Sequence, residues 1–310
     1  MNQIFLALDN QELALSYPES LDQDIRSLFA NIQGKLGSHR REMIVHEEEY
    51  LERYNIEFNG ATKFRWLCRD DCLFALLGEV VDALITDLDS GVALHAGAVL
   101  YGDSGILLPG PSGAGKSSLT AWLADRGFAY ATDECVVLKQ KVPYFSALAR
   151  PLVTKNNTST TVPSLRKLRK RFIVSGHISI FWPQNALPSD QLRHCKLIVF
   201  PKFEYGAQLH IQLLSPAQAA LKLMACNVNA RNLPDHGVSI ITSFARCASA
   251  IMVRYGGFDQ LEESFDTLLA HIVRGELGAH ATHELLTLFQ PSEGIKDKIT
   301  SEFTSVAGNS

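Results

Sequence analysis

The stretch LLPGPSGAGKSSL, from Leu107 to Leu119, sets the fold class expected for this 310-residue chain. Its segment from Gly110 to Ser117 matches the phosphate-loop pattern G-x-x-x-x-G-K-[ST] at every position. An apolar, strand-like run precedes the match and a helical pattern follows it, which is the context that such a loop requires. Strand, loop, helix and strand in this order predict an α/β core whose loop lies at the carboxyl end of a strand.

The residue types in the loop suit phosphate binding. Gly110, Gly113 and Gly115 carry no side chain, so the backbone can curl around a phosphate and direct its N–H groups inward. We expect the Lys116 ammonium on the β- and γ-phosphates of a nucleotide and the Ser117 hydroxyl on Mg²⁺. The predicted nucleotide-binding residues are Gly110, Pro111, Ser112, Gly113, Ala114, Gly115, Lys116, Ser117 and Ser118.

Composition and charge favour a globular protein without nucleic acid as its main partner. Hydrophobic residues make up 46% of the chain, charged residues 20%, and the formal net charge is −4. The N-terminus carries Asp9 and Glu12 and no basic segment, so we expect no signal peptide, and no apolar run approaches the roughly 18 residues that span a membrane. Six dispersed cysteines in a chain of this size favour free thiols. Together with the expected lack of a signal peptide and of a membrane span, they predict a cytoplasmic protein that does not bind membranes.

Changes in hydrophobic pattern and composition divide the chain into three parts. Residues 1–90 mix strand-like and helical segments and predict a smaller α+β region, in which DDCLFALLGEVVDALITDLD is a helix capped by Asp70 or Asp71. Residues 91–275 are expected to form the P-loop domain. Residues 276–310 are expected to form a C-terminal extension that is partly disordered.

Within the P-loop domain, KSSLTAWLADRG predicts a helix with Leu119, Trp122 and Leu123 on one buried face. The segment SPAQAALKLMACN predicts a second helix that begins at its Ser-Pro pair. Residues 150–172 are rich in Thr, Asn and Ser and then turn basic, which predicts a loop followed by a short element with a solvated basic face. The basic run lacks the interleaved aromatic residues on which nucleic-acid bases would stack.

The segment ATDECVV supplies the carboxylates that a phosphoryl-transfer site needs. Asp133 follows Ser117 by only 16 positions, a span filled by one helix and one short strand, so Asp133 and Glu134 can reach the same phosphates. A hairpin turn is the alternative interpretation, because Asp is common in turns. His95, in the strand-like run VALHAGAVLYG, fits either a core position or a functional one.

The order of residues from His95 to Leu138 resembles the catalytic core of bacterial HPr kinase/phosphorylase. HAGAVLYGDSGILLPGPSGAGKSSLTAWLADRGFAYATDECVVL contains a histidine strand, a phosphate loop, a short helix ending in Arg-Gly and an acidic pair, in the order of that family. The segment is more similar still to the HPr-kinase-related kinases, which keep this core and lose other parts. The resemblance implies a P-loop kinase core of the HPr kinase C-terminal-domain type, which is PEP-carboxykinase-like, and the cofactors ATP and Mg²⁺.

The resemblance also implies roles for individual residues. Asp133 matches the acid that takes the proton of the substrate serine hydroxyl, and His95 matches the histidine that neighbours and tunes that acid. Ser117 and Glu134 match positions at or near the metal, and Lys116 completes a catalytic set with Asp133 and His95. The segment RPLVTKNN resembles R-P-x-x-L-K-N in the family. The candidate substrate or phosphate contacts there are Arg150, Lys155 and Asn156, with a solvated loop as the alternative.

These features predict an ATP- and Mg²⁺-dependent kinase that phosphorylates a hydroxyl group, with serine in a protein or peptide as the favoured acceptor. A small-molecule kinase on the same core and a non-catalytic ATP-binding sensor or assembly protein are the alternatives. Glu134 stands where the family has an aspartate, and the family segment P-V-R-P-G-R-N has no match beyond ARNL at Ala230–Leu233. The resemblance therefore supports the kinase activity, not phosphorolysis or HPr as the substrate. A homo-oligomer is a candidate state, because the family often forms hexamers.

Other nucleotide-using classes are excluded by the motifs that they require. The chain contains no N-K-x-D motif for reading guanine, which argues against a GTPase. It also lacks the H-R-D and D-F-G set of eukaryotic-type protein kinases. The loop and the acidic pair therefore point to a kinase of another architecture.

Overall fold

The computed structural model of the chain describes residues 1–32, 34, 41–155, 172–174, 178–189, 191–261 and 265–275. The described residues combine α-helices with three β-sheets, which confirms the α/β class. The predicted C-terminal extension, 276–310, lies outside them. The α-helices are α1 (Asp22–Leu28), α2 (Arg69–Ile85), α3 (Lys116–Asp125), α4 (Pro216–Met224), α5 (Val238–Cys247) and α6 (Phe265–Arg274). The strands are β1 (Asn2–Leu8), β2 (Gln11–Tyr17), β3 (Arg41–Glu48), β4 (Arg53–Phe58), β5 (Ala61–Leu67), β6 (Val92–Tyr101), β7 (Ser104–Pro109), β8 (Ala129–Thr132), β9 (Cys135–Leu138), β10 (Tyr144–Ala147), β11 (Leu152–Lys155), β12 (Phe172–Val174), β13 (Ile178–Phe181), β14 (Arg193–Phe203), β15 (His210–Leu213) and β16 (Ser249–Tyr255).

The first sheet has the strand order β1-β2-β3-β4-β5, and helix α2 packs on it. The buried residues of α2 recur at helical spacing, among them Leu73, Leu76, Leu77, Val80 and Leu84. The helix begins at Arg69, after Cys68, so the prediction that Asp70 or Asp71 caps it is wrong. Both aspartates lie in the first turn instead, where their charge is stabilised by the positive end of the helix dipole.

The second sheet is mixed and carries the phosphate loop. Its strand order is β10-β9-β6-β7-β14-β16-β15, with β8 also paired to β6. The central strands β7, β14 and β16 run parallel to one another, and most residues in the middle of each strand are buried. Successive residues of β7 face opposite sides, since Ile106 and Leu108 pack with α3 and α6 and Leu107 packs with α4 and α5. Helices therefore cover both faces of the sheet, and polar functional side chains can gather only at the ends of its strands.

Several predicted local elements are confirmed. Helix α3 follows the loop, and Leu119, Trp122 and Leu123 are buried together against the second sheet. Helix α4 begins after Ser215, whose hydroxyl accepts a hydrogen bond from the Gln218 backbone N–H.

None of the helices in the described part of the chain combines the length and the hydrophobicity that a membrane span requires. All six cysteines are free.

The predicted loop at 150–172 contains a strand at its start. Strand β11 pairs with β13 in a third, antiparallel sheet of order β11-β13-β12. The apolar Leu152 is fully buried there, which overrides the polar composition of the residues that follow it. The rest of the segment, 156–171, lies outside the described residues, and so does nearly all of the basic run.

The N-terminal region and the second sheet share one apolar cluster. Ala93 of β6 and Cys135 and Val137 of β9 pack in the same cluster as the buried face of α2. The chain that connects α2 to β6 is held by Asn229, which accepts a hydrogen bond from the Ala93 N–H at 2.8 Å. The Asn229 amide also donates to the carbonyls of Leu88 at 2.8 Å and Gly91 at 2.9 Å. One buried side chain thus fixes the approach to the strand that carries His95.

We expect Asn229→Ala to lower the free energy of unfolding by about 2–3 kcal/mol, because buried backbone groups lose their hydrogen-bond partners. Urea denaturation followed by circular dichroism measures the change. The matched control is Asn10→Ala, which removes an exposed side chain whose bond is to Asp89, and it should leave stability near that of the wild type. Equal loss in the two variants would contradict the role given to Asn229.

Candidate functional site

The loop predicted to bind phosphate joins the carboxyl end of β7 to α3. Gly115 precedes the first helical residue with φ of 96°, and Gly113 has φ of 83°, so both occupy the left-handed region that favours glycine. A Cβ atom on Gly115 would also lie 2.6 Å from the Tyr255 hydroxyl oxygen. Close packing and backbone conformation therefore both require glycine at position 115.

The Lys116 side chain folds back over the loop. Its Nζ donates a hydrogen bond to the Pro111 carbonyl at 3.0 Å, and the residue is buried. Burial lowers the pKa of Lys116, although the charge of Glu134 acts in the opposite direction. A partly desolvated ammonium beside the loop is well placed to attract an anionic group.

Asp133 and Glu134 occupy a break between β8 and β9. Both of these strands run antiparallel to the same strand, β6, so the pair does not lie in a hairpin turn, and that alternative is wrong. The Glu134 carbonyl accepts a hydrogen bond from the Ala96 N–H at 3.0 Å, which anchors the break to β6. The two side chains meet different surroundings.

The Asp133 carboxylate is buried below the loop, and the residue is only 3% exposed. The Tyr130 hydroxyl donates to its Oδ1 at 3.3 Å and the Val153 N–H donates to its Oδ2 at 3.5 Å. The Ser117 side chain is a further hydrogen-bond partner. Burial raises the pKa of Asp133, and the nearby charge of Arg150 opposes that rise.

Glu134 contacts the imidazole of His95. The His95 Nδ1 lies 3.1 Å from the Glu134 Oε1 and 3.2 Å from the Glu134 carbonyl oxygen. Because a carboxylate and a carbonyl can only accept, Nδ1 carries the hydrogen. Burial raises the pKa of Glu134, but the hydrogen bond from His95 and the charge of Arg150 outweigh it and leave the pKa lowered.

The expectation that His95 neighbours Asp133 is corrected by this arrangement. Cys135, not Asp133, pairs with His95 in the register of β6 and β9, and the adjacent residue Glu134 reaches the imidazole. Asp133 sits one position further along the break, where its side chain turns toward Ser117 and Arg150. The histidine therefore acts on the second acid of the pair.

Arg150 bridges the two carboxylates. Its Nη1 lies 2.9 Å from the Glu134 Oε2, and its Nε lies 3.5 Å from the Asp133 Oδ1, an ion-pair contact without hydrogen-bond geometry. Burial lowers the pKa of Arg150, but the two carboxylates outweigh burial and raise it. The single Tyr130 O–H is shared between two acceptors, the Arg150 carbonyl oxygen at 2.9 Å and the Asp133 Oδ1 at 3.3 Å.

One cavity of about 580 Å³ gathers most of the predicted site residues. Its predicted lining residues are His95, Ser112, Gly113, Gly115, Lys116, Ser117, Ser118, Asp133, Glu134 and Arg150. Gly110, Pro111 and Ala114 belong to the loop without lining the cavity. The structure describes the backbone of Lys155 but not its side chain, and Asn156 lies outside the described residues.

Sequence reasoning missed the aromatic residues that line this cavity beside the loop. Phe203 and Tyr255 lie at the ends of β14 and β16, with their rings 5.6 Å apart in an edge-to-face arrangement. Tyr205 is 95% exposed beside them, and Phe258 completes the aromatic group. The signal that could have found Phe203 and Tyr255 is their position at the ends of strands parallel to β7, since parallel strands end at one sheet edge.

The oxygen donors near the loop fit Mg²⁺ only with help from a nucleotide. The Ser117 hydroxyl and the Asp133 and Glu134 carboxylates are hard oxygen ligands of the kind that Mg²⁺ prefers. Across the described part of the chain, no group of three or more His, Cys, Asp or Glu side chains is placed to hold a metal. Mg²⁺ commonly uses one or two carboxylates and completes its shell with phosphate and water.

We expect Arg150→Gln to lower the free energy of unfolding at neutral pH by about 3–5 kcal/mol, because two carboxylates lose their buried cation. The loss should shrink in acid. The pKa of Glu134 is lowered, so its contribution is present above its unfolded pKa and disappears as pH falls through the folded value. The pKa of Asp133 is raised, so in acid this carboxyl becomes neutral and no longer needs the cation that Arg150→Gln removes. Denaturation at several pH values tests this.

The matched control for that series is Arg26→Gln, which breaks the exposed pair with Asp22 on one turn of α1. Its stability should stay near that of the wild type at every pH. A loss for Arg150→Gln that is small, or that does not change with pH, would contradict the buried pairing.

No protein-family model and no curated protein matches the chain. Among solved structures, the chain is similar to the HPr(Ser) kinase/phosphatase from Coxiella burnetii, with 14% sequence identity and a TM-score of 0.28. The alignment covers 70% of this chain and 98% of that chain. A similarity of this size does not assign a family or a function to the chain.

Proposed function

We propose that this protein binds ATP with Mg²⁺ and transfers the γ-phosphoryl group to a hydroxyl, that of serine in a protein or peptide, on a core of the HPr kinase C-terminal-domain type, which is PEP-carboxykinase-like. The observation that carries the proposal is the single cavity of about 580 Å³ that gathers the glycine-rich loop, two carboxylates, a histidine and a buried arginine. Separate chain segments supply these groups, and their convergence in one concave site is typical of an active site.

The loop end of the cavity is suited to the phosphates. Backbone N–H groups at the start of α3 and the Lys116 ammonium face a common region, and the helix dipole adds positive potential. Beside the loop, Phe203, Tyr205 and Tyr255 offer aromatic surface for the base of a nucleotide. A triphosphate lying along the cavity would place its terminal phosphate toward the acidic pair.

The acidic pair and its partners are suited to the transfer itself. When bound, Mg²⁺ would neutralise charge on the phosphates, with the Ser117 hydroxyl and a carboxylate of the pair as protein ligands. The other carboxylate is then free to accept the proton of the attacking hydroxyl. Arg150 pairs with both carboxylates and lines the same cavity, where its positive charge would attract a phosphate.

Lys116→Met should weaken ATP binding about 10- to 100-fold, because an ionic hydrogen bond to phosphate is lost. Titration with a fluorescent ATP analogue in the presence of Mg²⁺ measures the affinity. The control is Lys141→Met, which removes an exposed ammonium from the turn after β9, where it lies 4.9 Å from the Tyr144 ring. Unchanged affinity in Lys116→Met would contradict nucleotide binding at the loop.

An acceptor screen with γ-labelled ATP and phosphoserine detection tests the transfer. We expect label on serine of a peptide or protein acceptor and no label when Lys116 is replaced. Label on a small metabolite instead of a peptide would support the small-molecule kinase. Nucleotide binding with no labelled acceptor would support the sensor and contradict the proposal.

A further inference from the structure

A second cavity, of about 200 Å³, shares His95 and Glu134 with the first but is lined by none of the loop residues. Helix α2 of the N-terminal region forms one wall through Val81, Asp82 and its neighbours. Cys135 and Val228 contribute to the remaining lining. The imidazole and carboxylate pair is thus accessible from two separate spaces, only one of which contains the phosphate loop.

We propose that this second cavity receives the acceptor hydroxyl, and that Glu134, oriented by His95, takes its proton, an inference that rests on the proposed kinase function. The first cavity then holds the phosphoryl donor, and Glu134 lies where donor and acceptor meet. The resemblance assigned the proton to Asp133. The geometry assigns it to Glu134 and leaves Asp133 on the nucleotide side.

The surroundings of the two carboxylates separate their roles. Both carboxylates have partners, since Tyr130, Val153 and Ser117 contact Asp133 whereas His95 and Arg150 contact Glu134. Their accessibility differs, because Asp133 is 3% exposed and lines only the first cavity. The Glu134 side chain is 29% exposed and lines both cavities. A group that takes a proton from an incoming hydroxyl must come within hydrogen-bond reach of it, and Glu134 meets that requirement.

The backbone around His95 fixes the orientation of the pair. The His95 N–H donates to the Cys226 carbonyl at 2.9 Å, and the Ala96 N–H donates to the Glu134 carbonyl at 3.0 Å. With Nδ1–H directed at Glu134, the carboxylate is held in one orientation. Such a hydrogen bond from a positioned imidazole is a common way to orient a catalytic carboxylate.

The second cavity has the size and polarity for one hydroxyl-bearing side chain. Val81, Ile85 and Val228 supply apolar surface, whereas Asp82 and Thr86 supply polar groups near the opening. Glu79 and Asp82 add negative charge on α2, and Lys63 is the cation facing them. The acceptor that fits is a serine or threonine in a peptide whose neighbouring residues are cationic or neutral, because acidic neighbours would be repelled.

The chemical step balances within this arrangement. The acceptor O–H bond breaks as its proton passes to a Glu134 carboxylate oxygen, and the hydroxyl oxygen forms a bond to the γ-phosphorus. The bond between that phosphorus and the β–γ bridging oxygen breaks, and ADP leaves with the electron pair.

The test compares transfer to three serine tripeptides, Ac-Lys-Ser-Lys-NH₂, Ac-Ala-Ser-Ala-NH₂ and Ac-Glu-Ser-Glu-NH₂, with nucleotide affinity measured separately. The wild type should prefer the lysine peptide. Asp82→Lys, an exposed position, should reduce kcat/KM for that peptide about tenfold or more by charge repulsion, with ATP affinity unchanged. Thr86→Trp, also exposed, should reduce transfer to all three peptides by obstructing the opening.

The matched control is Asp103→Lys, which makes the same charge change in the turn between β6 and β7, at the end of β7 away from the loop. It should transfer phosphate as the wild type does. Normal transfer by both Asp82→Lys and Thr86→Trp would overturn the acceptor cavity while leaving the kinase function intact. Absence of phosphoserine on all three peptides, with label on another acceptor in the screen, would also overturn the acceptor cavity, whereas absence of label on every acceptor would overturn the proposed kinase function itself.

Replacing the carboxylates one at a time separates their roles. Glu134→Gln should lower transfer about 100-fold or more and keep the gain in ATP affinity that Mg²⁺ confers. Asp133→Asn should reduce that gain, measured with the fluorescent analogue with and without Mg²⁺. Loss of transfer in Asp133→Asn with an unchanged Mg²⁺ effect, together with active Glu134→Gln, would return the proton-accepting role to Asp133.

Discussion

The site depends on one buried guanidinium that neutralises two carboxylates from consecutive residues. Without Arg150, Asp133 and Glu134 would place two like charges in a space from which most water is excluded, and the folded state would be strongly disfavoured. With Arg150 in place, both carboxylates can lie beside the phosphate loop. The Tyr130 hydroxyl joins the two sides of this pairing, since it bonds the Arg150 carbonyl and the Asp133 carboxylate.

The second sheet delivers these groups to one edge. Strands β7, β14 and β16 run parallel, so the loop and the aromatic residues at their carboxyl ends converge. The break between β8 and β9 brings the acidic pair to the same region from an antiparallel neighbour of β6. Both faces of the sheet are occupied by apolar packing, which leaves the edge as the place where polar side chains can gather without disturbing the core.

The parts that could be predicted from sequence are those whose determinants are local. The glycine spacing of the loop, the apolar face of α3 and the Ser-Pro start of α4 each need only a few adjacent residues. The short span between Ser117 and Asp133 also made their proximity predictable. The partner of His95 was not predictable, because it depends on the register of a broken strand, and neither were Phe203 and Tyr255, which meet the loop only through parallel pairing.

The apolar cluster shared by α2 and β9 has a consequence for how this chain is organised. The change in sequence pattern near residue 90 suggests a domain boundary there. Removal of residues 1–90 would nevertheless expose Ala93, Cys135 and Val137, which are fully or almost fully buried in the intact chain. The truncated protein would expose this apolar surface directly next to its own acidic pair. The N-terminal region therefore shields from water the apolar residues that lie next to the acidic pair. The two parts must be expressed together and must fold as one unit.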